Sequence, residues 1–384
     1  MTATAGAALG STSRRPAWAE IDLGAIRHNA AALLSRVAPA QLCAVVKAGG
    51  YGHGAVEVAR AALDGGATWV AVALVEEGAT LREAGVAAPV LLLSEPSPGA
   101  MADVVALGLV PTLYTFEGMG ALAAAAQRQD VAEPLPVHVK VDTGMHRVGA
   151  SQSEAVRLAV AVAERPQLRL DGLWSHFAVA DVPGDPFTDV QGRRFRAAVE
   201  ELAAAGVRPP LLHVSNSAGA LAHPQWHQHF VRCGIALYGV APSPALEGAA
   251  DLRPALSLRA RVSYVKELEA GEGISYGLEY RLDRRSVVST VPIGYADGVP
   301  WRLGVTGGEV LIGGRRRPIA GRVTMDLILV DCGPGSTVAP GDEVVLLGEQ
   351  GSEGIGVWEW AERVGTIAYE ILCGLGPRVQ KVYV

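Results

Sequence analysis

Between residues 41 and 240, short apolar runs of β-type residues alternate with stretches rich in Ala, Glu and Arg that have helical texture. No other feature of the chain limits its fold as strongly. Short continuous apolar strands separated by helix-length crossovers belong to parallel sheets covered by helices. Eight such runs occur, at 41–47, 69–74, 89–94, 110–115, 136–142, 170–177, 211–216 and 231–238. Helices are predicted between them near 54–64, 75–84, 98–107, 116–128, 151–164, 188–205 and 217–222. So regular a count of strand-helix steps fits a closed (β/α)8 barrel better than an open doubly wound sheet.

After Pro242 and Pro244 the texture changes to β-type runs at 257–265, 286–293, 309–312, 326–331 and 343–347, joined by Gly/Pro turns. One helical segment, at about 355–375, interrupts them. The expected organisation is an α/β chain with a loose tail over 1–16, a barrel over 17–245 and a mainly β domain over 246–384. A chain of 384 residues is long enough for both domains.

The net charge of −6, from 33 Lys and Arg against 39 Asp and Glu, argues against nucleic acid as a partner. The densest basic cluster, Arg315, Arg316 and Arg317, lies between Gly313-Gly314 and Pro318 and reads as a solvated turn rather than a phosphate-binding patch. No stretch approaches the ~18 uninterrupted apolar residues of a membrane span, and Trp-Ala-Glu-Ile-Asp follows Arg14-Arg15 where an export signal would need an apolar core. Cys43, Cys233, Cys332 and Cys373 are too scattered for a disulfide framework or a zinc site, which fits a cytoplasmic protein. His223, His227 and His229 lie in a Pro-containing loop without carboxylate or thiol, so no metal site is expected there.

Lysine is scarce: Lys47, Lys140, Lys266 and Lys381 are the only ones among the 33 cations. Lys266 and Lys381 have polar surroundings, whereas Lys47 closes an apolar strand and Lys140 lies inside another. Barrel active sites gather at the carboxyl ends of the strands, so polar residues ending apolar runs are the candidates. There stand Lys47, His176, Asn216 with Ser217, and Arg232 with Gly234 and Ile235. A lysine against apolar surroundings loses hydration and can present a neutral amine to a carbonyl. The loops after strands seven and eight are where barrels commonly hold phosphate. A Schiff-base lysine and a phosphate site together point to pyridoxal phosphate.

The segment Ala44-Val-Val-Lys-Ala-Gly-Gly-Tyr-Gly-His-Gly54 closely resembles the cofactor-attachment signature of alanine racemases. Further resemblances follow in chain order: Trp-Ala-Glu-Ile-Asp (18–22), Lys-Val-Asp-Thr-Gly-Met-His-Arg (140–147), Ser-His-Phe-Ala (175–178), His-Val-Ser-Asn-Ser-Ala (213–218), Arg-Cys-Gly-Ile (232–235), Ile-Ser-Tyr-Gly (274–277), Gly-Tyr-Ala-Asp-Gly (294–298) and Gly-Arg-Val-Thr-Met-Asp (321–326). The resemblance spans nearly the whole chain and implies a pyridoxal-phosphate-dependent isomerase of fold type III, interconverting L- and D-alanine and supplying D-alanine for peptidoglycan.

By that resemblance Lys47 carries the cofactor and acts as base on the D face, while Tyr276 is the opposite base. Racemisation needs groups on both faces, since a single group returning the proton to its own side regenerates the starting enantiomer. A phenol is a poor base at neutral pH without positive charge or hydrogen bonds around it. Arg232 matches the arginine facing the cofactor's ring nitrogen, where a guanidinium donates without giving up its proton and leaves the ring a weaker electron sink. Tyr51, Ser217, Gly234 and Ile235 match contacts to the cofactor phosphate, and His176 and Asn216 match groups around its ring and hydroxyl. Arg147 and the backbone N–H of Met325 match groups holding the substrate carboxylate. Lys140 matches a lysine that some relatives carry as a carbamate, an anion able to pair with Arg147. Tyr276 and Met325 are expected to reach the site from a partner subunit, which implies a homodimer with shared active sites.

Two departures stand out. Many relatives have Asn where this chain has Gly49, and Cys-Gly-Leu-Gly-Pro-Arg-Val (373–379) offers no tyrosine to gate the site. Other readings remain open: a serine or broad-specificity racemase of the same fold, a basic-amino-acid decarboxylase, or a non-catalytic pyridoxal-phosphate homeostasis protein. The Arg232 match disfavours the decarboxylase, and the second domain disfavours the homeostasis protein.

Overall fold

The computed structural model describes residues 15–384, so most of the expected 1–16 tail lies outside the described residues. The described residues divide into two compact units, Leu23–Ala255 and a second made of residues 15–22 together with Leu256–Val384.

In the first unit all eight apolar runs form parallel strands. With Ala17–Ile21 as β1, they are β2 (Gln41–Val45), β3 (Trp69–Val72), β4 (Val90–Leu92), β5 (Thr112–Leu113), β6 (Leu135–Lys140), β7 (Leu168–Trp174), β8 (Leu211–His213) and β9 (Phe230–Cys233). They pair as β4-β3-β2-β9 and β5-β6-β7-β8. A parallel bridge from Leu91 to Val110 joins β4 to the start of β5. Hydrogen bonds from His229 N–H to Leu212 C=O and from Arg232 N–H to Ser215 C=O, each 3.1 Å, close β8 against β9. The result is a barrel without sheet edges. Val45, Val70, Leu91, Val137, Leu173 and Val231 are buried in its wall, each contributing ~1.5–3 kcal/mol relative to exposure.

Each strand ends earlier than its apolar run. Lys47, His176, Asn216 and Gly234 therefore stand just beyond strand ends, on the loop face of the barrel. The intervening helices include Ala55–Asp64, Val75–Glu83, Phe116–Arg128, Gln152–Ala163, Phe187–Ala204 and Ser217–Ala222.

In the second unit a sheet runs in the order Arg315–Pro318, Glu309–Ile312, Glu343–Gln350, Leu256–Arg261, β1, Gln380–Tyr383. Residues 17–22, expected in the barrel, thus join the β unit: β1 pairs antiparallel with Leu256–Arg261 and parallel with Gln380–Tyr383. A second sheet orders Tyr264–Leu268, Ser286–Val291 and Ile328–Gly333. The predicted run 257–265 is thus two strands belonging to different sheets. The helical segment is also split, into Val357–Val364 and Ala368–Cys373, by Gly365 at φ 76°.

The Arg315–Arg317 cluster is not a turn. It is a strand antiparallel to Glu309–Ile312, and the turn is Gly313-Gly314, with φ 63° and 69°. Arg316 meets Glu309 at 3.0 Å, Glu359 at 2.9 Å and Glu353 at 3.3 Å, so the middle arginine of the run is surrounded by carboxylates.

Candidate active site

Lys47 leaves β2 half-buried and enters a turn in which Ala48, Gly49, Gly50 and Tyr51 all have positive φ, between 50° and 65°. Such a run is costly for residues with a β-carbon, which explains two glycines in succession. The Glu77 carboxylate anchors the turn by accepting from Ala48 N–H at 2.6 Å, and also takes Ala73 N–H at 2.9 Å.

The turn delivers Tyr51 into the first unit. Its ring stacks on Tyr238 with centroids 4.8 Å apart, and Tyr238 donates its hydroxyl to Val45 C=O at 2.9 Å. A β-carbon at position 234 would collide with the Tyr51 hydroxyl, so Gly234 is bare where that hydroxyl approaches. Ser217 Oγ accepts from the N–H groups of Gly234 at 2.9 Å and Ala236 at 3.4 Å. Tyr51, Ser217, Gly234 and Ile235 therefore lie together. Asn216 caps the following helix by accepting from Gly219 N–H at 3.0 Å.

Arg232 is 2% exposed in the barrel interior. Its Nη1 lies 2.5 Å from His213 Nδ1, and its Nη2 donates to Ser175 C=O at 2.8 Å and Val214 C=O at 3.2 Å. Nη2 also lies 3.4 Å from His176 Nδ1. The Nε–H, buried, has no partner among the described residues. An unpaired buried donor on a guanidinium is costly, and a neutral ring nitrogen is an acceptor that would satisfy it. Burial lowers the Arg232 pKa to about 10, which still leaves it charged at neutral pH.

His176 reports the surrounding charge. Burial first, then Arg232, Lys140, Arg147 and Lys47, holds its imidazole well below the ordinary histidine value. Lys140 is 3% exposed, and its Nζ lies 4.2 Å from the centre of the Trp174 ring. Burial, then Arg232 and Arg147, lowers its pKa to about 7 against partial relief from Asp142. Asp142 shapes the exposed loop bearing Arg147 by accepting from Gly144 N–H at 2.9 Å and His146 N–H at 3.1 Å. Burial tends to raise the Asp142 pKa, but these hydrogen bonds and His146 bring it below the ordinary carboxylate value. Lys47, Lys140, Arg147 and Arg232 thus gather around His176 at one end of the barrel, a setting suited to anions.

In the β unit Tyr276 opens a short 3-10 turn between Ser275, φ 62°, and Gly277, φ 82°. It is 72% exposed. Ser275 Oγ donates to Arg322 C=O at 2.7 Å, and Arg322 lies over the Trp301 ring at 5.5 Å. Met325, 51% exposed, has its carbonyl fixed by Ala296 N–H at 3.1 Å, and the preceding Thr324 carbonyl takes Tyr295 N–H at 2.9 Å. Buried Asp297 fastens this corner: it receives both Nη groups of Arg15 at 2.6 Å and meets Arg378 Nε at 3.2 Å. Arg378, from the segment without a gate tyrosine, also reaches Asp326 at 2.6 Å.

Residues 21–242 match the family described as alanine racemase, N-terminal domain, and residues 255–383 match its C-terminal domain. The chain belongs to the alanine racemase family. Its activity is the interconversion of L- and D-alanine. The alanine racemase of Symbiobacterium thermophilum is 47% identical over 369 residues, covering 96% of this chain and 97% of the relative. The crystal structure of alanine racemase from D-cycloserine-producing Streptomyces lavendulae superposes with a TM-score of 0.91 at 38% identity, covering 97% and 98% of the two chains. A histidine racemase from Leuconostoc mesenteroides shares the fold at a TM-score of 0.89 and 29% identity, covering 97% and 99%.

Sequence reasoning missed His138 and His213, which back Arg232 from inside the barrel. The signal was available for His138, since in Val-His-Val-Lys the two-residue period of a strand puts it on the same face as Lys140. The histidines of the 223–229 loop have separate backbone partners: His223 faces Ala180 C=O, His227 faces Ala220 C=O, and His229 accepts from Leu212 N–H.

Proposed function

We propose that the chain racemises alanine with pyridoxal 5'-phosphate held on Lys47, in a homodimer whose β unit supplies Tyr276 and Met325 to the partner's barrel. The observation that carries this is the unpartnered Nε–H of buried Arg232 at the end of the barrel where Lys47, Lys140, Arg147 and His176 gather. That donor fits the cofactor's ring nitrogen, and Tyr51, Ser217, Gly234 and Ile235, which lie together beside it, would hold its phosphate. The cofactor's ring, when bound, supplies the electron sink that loosens the substrate's α-proton.

The chain's own residues do the rest. Lys47 Nζ takes or returns the proton at the α-carbon on one face, and the phenolic oxygen of Tyr276 of the partner subunit does so on the other. Arg232 donates to the ring nitrogen without protonating it, which limits electron withdrawal and favours prompt return of the proton. Asn216 and His176 flank the ring, and Arg147 with the Met325 N–H holds the substrate carboxylate. Lys140, with a pKa of about 7, has enough neutral amine to add CO2 with release of one N–H proton to solvent, and the resulting carbamate anion would pair with Arg147. Tyr276, Leu278, Trp301 and Met325 are all exposed on the β unit, a set of large apolar side chains that a partner surface would cover. No helix of the described residues is long and apolar enough to cross a membrane, in keeping with a cytoplasmic enzyme supplying D-alanine for peptidoglycan.

Borohydride reduction followed by peptide mapping tests the attachment: the cofactor's mass is expected on the peptide containing Lys47, and its appearance elsewhere overturns the assignment. A substrate panel tests selectivity. The histidine racemase of the same fold makes other amino acids the specific competitors, and turnover of serine or histidine matching that of alanine would replace an alanine-selective site with a broad one.

A further inference from the structure

His138 on β6 and His213 on β8 are both fully buried, and no role above uses them. They form a chain with Arg232: His138 Nδ1 lies 2.8 Å from His213 Nε2, and His213 Nδ1 lies 2.5 Å from Arg232 Nη1. A guanidinium only donates, so His213 Nδ1 must accept. A neutral imidazole has one N–H, and that of His213 must then sit on Nε2, where it donates to His138 Nδ1. By the same logic His138 carries its proton on Nε2, a buried atom with no partner among the described residues. The geometry therefore allows one proton arrangement along the whole chain.

The surroundings hold the two rings in place. Trp174 stacks on His213 with centroids 5.4 Å apart and planes 9° from parallel, and donates Nε1–H to Thr112 Oγ1 at 3.1 Å. The Arg232 guanidinium lies over the same indole at 4.5 Å. Phe230 meets the His213 ring edge-on at 4.5 Å. Space for His138 exists because position 172 is glycine, where a β-carbon would fall 2.5 Å from Nδ1 and 2.7 Å from Cγ of the ring. The β6–β7 ladder also shifts register between Val137 and His138. Burial and the nearby Arg232 charge keep both imidazoles neutral: His138 falls to about 3 despite Asp171, and His213 falls well below the ordinary value.

We propose that His138 is a positioning residue that locks His213 in its Nε2–H tautomer, so that His213 engages Arg232 Nη1 and leaves Nε–H as the guanidinium's donor to the cofactor ring. This rests on the assignment of Arg232 to the ring nitrogen. The opposite tautomer would set an N–H of His213 against an N–H of Arg232, and the guanidinium would have to rotate away.

Selective 15N-histidine labelling reads the lock directly, because imidazole nitrogens with and without a proton resonate far apart. In the enzyme stripped of cofactor, His213 is expected to show a protonated Nε2 and an unprotonated Nδ1. In His138→Leu the His213 signals should become a tautomer mixture, the loaded enzyme's cofactor absorbance should shift, and kcat should drop about tenfold with little change in KM. His138→Gln, whose amide oxygen can accept the same hydrogen bond, should restore all three. A wild-type His213 protonated on Nδ1 overturns the lock even if His138→Leu fails to fold, and so does an unchanged tautomer in His138→Leu. A changed tautomer with unchanged cofactor absorbance overturns instead the link to Arg232, and with it that residue's assignment.

Discussion

The two units treat their most telling residues in opposite ways. In the barrel, Arg232, His213 and Ser217 are buried and bonded to neighbours from the same unit, with exposures of 2%, 0% and 4%. In the β unit, Tyr276 at 72% and Met325 at 51% stand in water, on turns whose backbone is nonetheless tightly fixed through Ser275, Ala296 and Asp297. Fixing the backbone while leaving the side chain bare costs conformational freedom with no burial in return. In the proposed assembly the barrel's groups are held internally, whereas the exposed pair on the β unit would be completed by a partner's surface.

The largest effect comes from separating the two. Tyr276→Phe and Lys47→Ala should each reduce racemisation by about 10²–10⁴ or more, the range of a lost acid-base group. Mixed and allowed to exchange subunits, the two inactive variants should regain activity, because a hybrid dimer has one site with both groups intact. Activity that stays absent in hybrids confirmed by mass spectrometry would mean that each chain completes its own site, and the contrast between the units would collapse.

A smaller effect separates internal packing from exposed presentation. Gly172→Ala pushes a methyl group into the His138 ring and should lower stability by about 1–3 kcal/mol, as overpacking does. Met325→Ala removes a larger side chain that is exposed within its own chain, and should leave the unfolding free energy of the dissociated chain within about 0.5 kcal/mol of the parent. Equal losses would show that the β-unit turn is as dependent on its side chain as the barrel core.

Lys140 sharpens the barrel side through pH. Its pKa is lowered from 10.5 to about 7, so between those values the folded amine has shed a proton that the unfolded chain retains. Stability should therefore rise as pH climbs from about 7 towards 10.5, and the burial penalty should be at its fullest below about 7. In CO2-free buffer a melting series should show this rise, on the order of a few degrees, and Lys140→Met should flatten it. Under 13CO2, a carbamate carbon seen by NMR in the parent but not in the variant would show the lysine converted to an anion. Absence of that signal would leave Arg147 without its proposed partner.

Much of the barrel was legible because its strands are consecutive and apolar on both faces, so that each declares itself locally. The place of β1 was not: Trp-Ala-Glu-Ile-Asp is a plausible strand anywhere, and its partners, Leu256–Arg261 and Gln380–Tyr383, lie at the other end of the chain. Arg315–Arg317 misled for a related reason. Gly313-Gly314 signals a turn, but the distant carboxylates Glu353 and Glu359, which join Glu309 around Arg316, are invisible in the local sequence. At the site, strand-end position pointed to Lys47, His176, Ser217 and Arg232, whereas Tyr276 and Met325 were carried by resemblance alone, since neither periodicity nor composition distinguishes an exposed tyrosine or methionine on a turn. His138 escaped because a histidine between valines reads as core filling until its partners are visible.

The smallest expected effect concerns Gly49, where many relatives have Asn. Its φ is 61°, and a β-carbon there would meet nothing within 4 Å. The site therefore asks only for left-handed backbone, which Asn tolerates better than other residues with a β-carbon. Gly49→Asn should leave stability within about 0.5 kcal/mol of the parent, because reduced freedom of the unfolded chain offsets the residual strain. Gly49→Val, with a branch at the β-carbon, should cost about 1–2 kcal/mol and also displace Lys47 and Tyr51, raising KM for the cofactor. If Asn costs as much as Val, backbone conformation is not what position 49 demands, and the chain's departure from its relatives there has another cause. If Asn is neutral and Val is not, glycine and asparagine are two solutions to one geometric requirement, and the turn carrying Lys47 has the same shape with either.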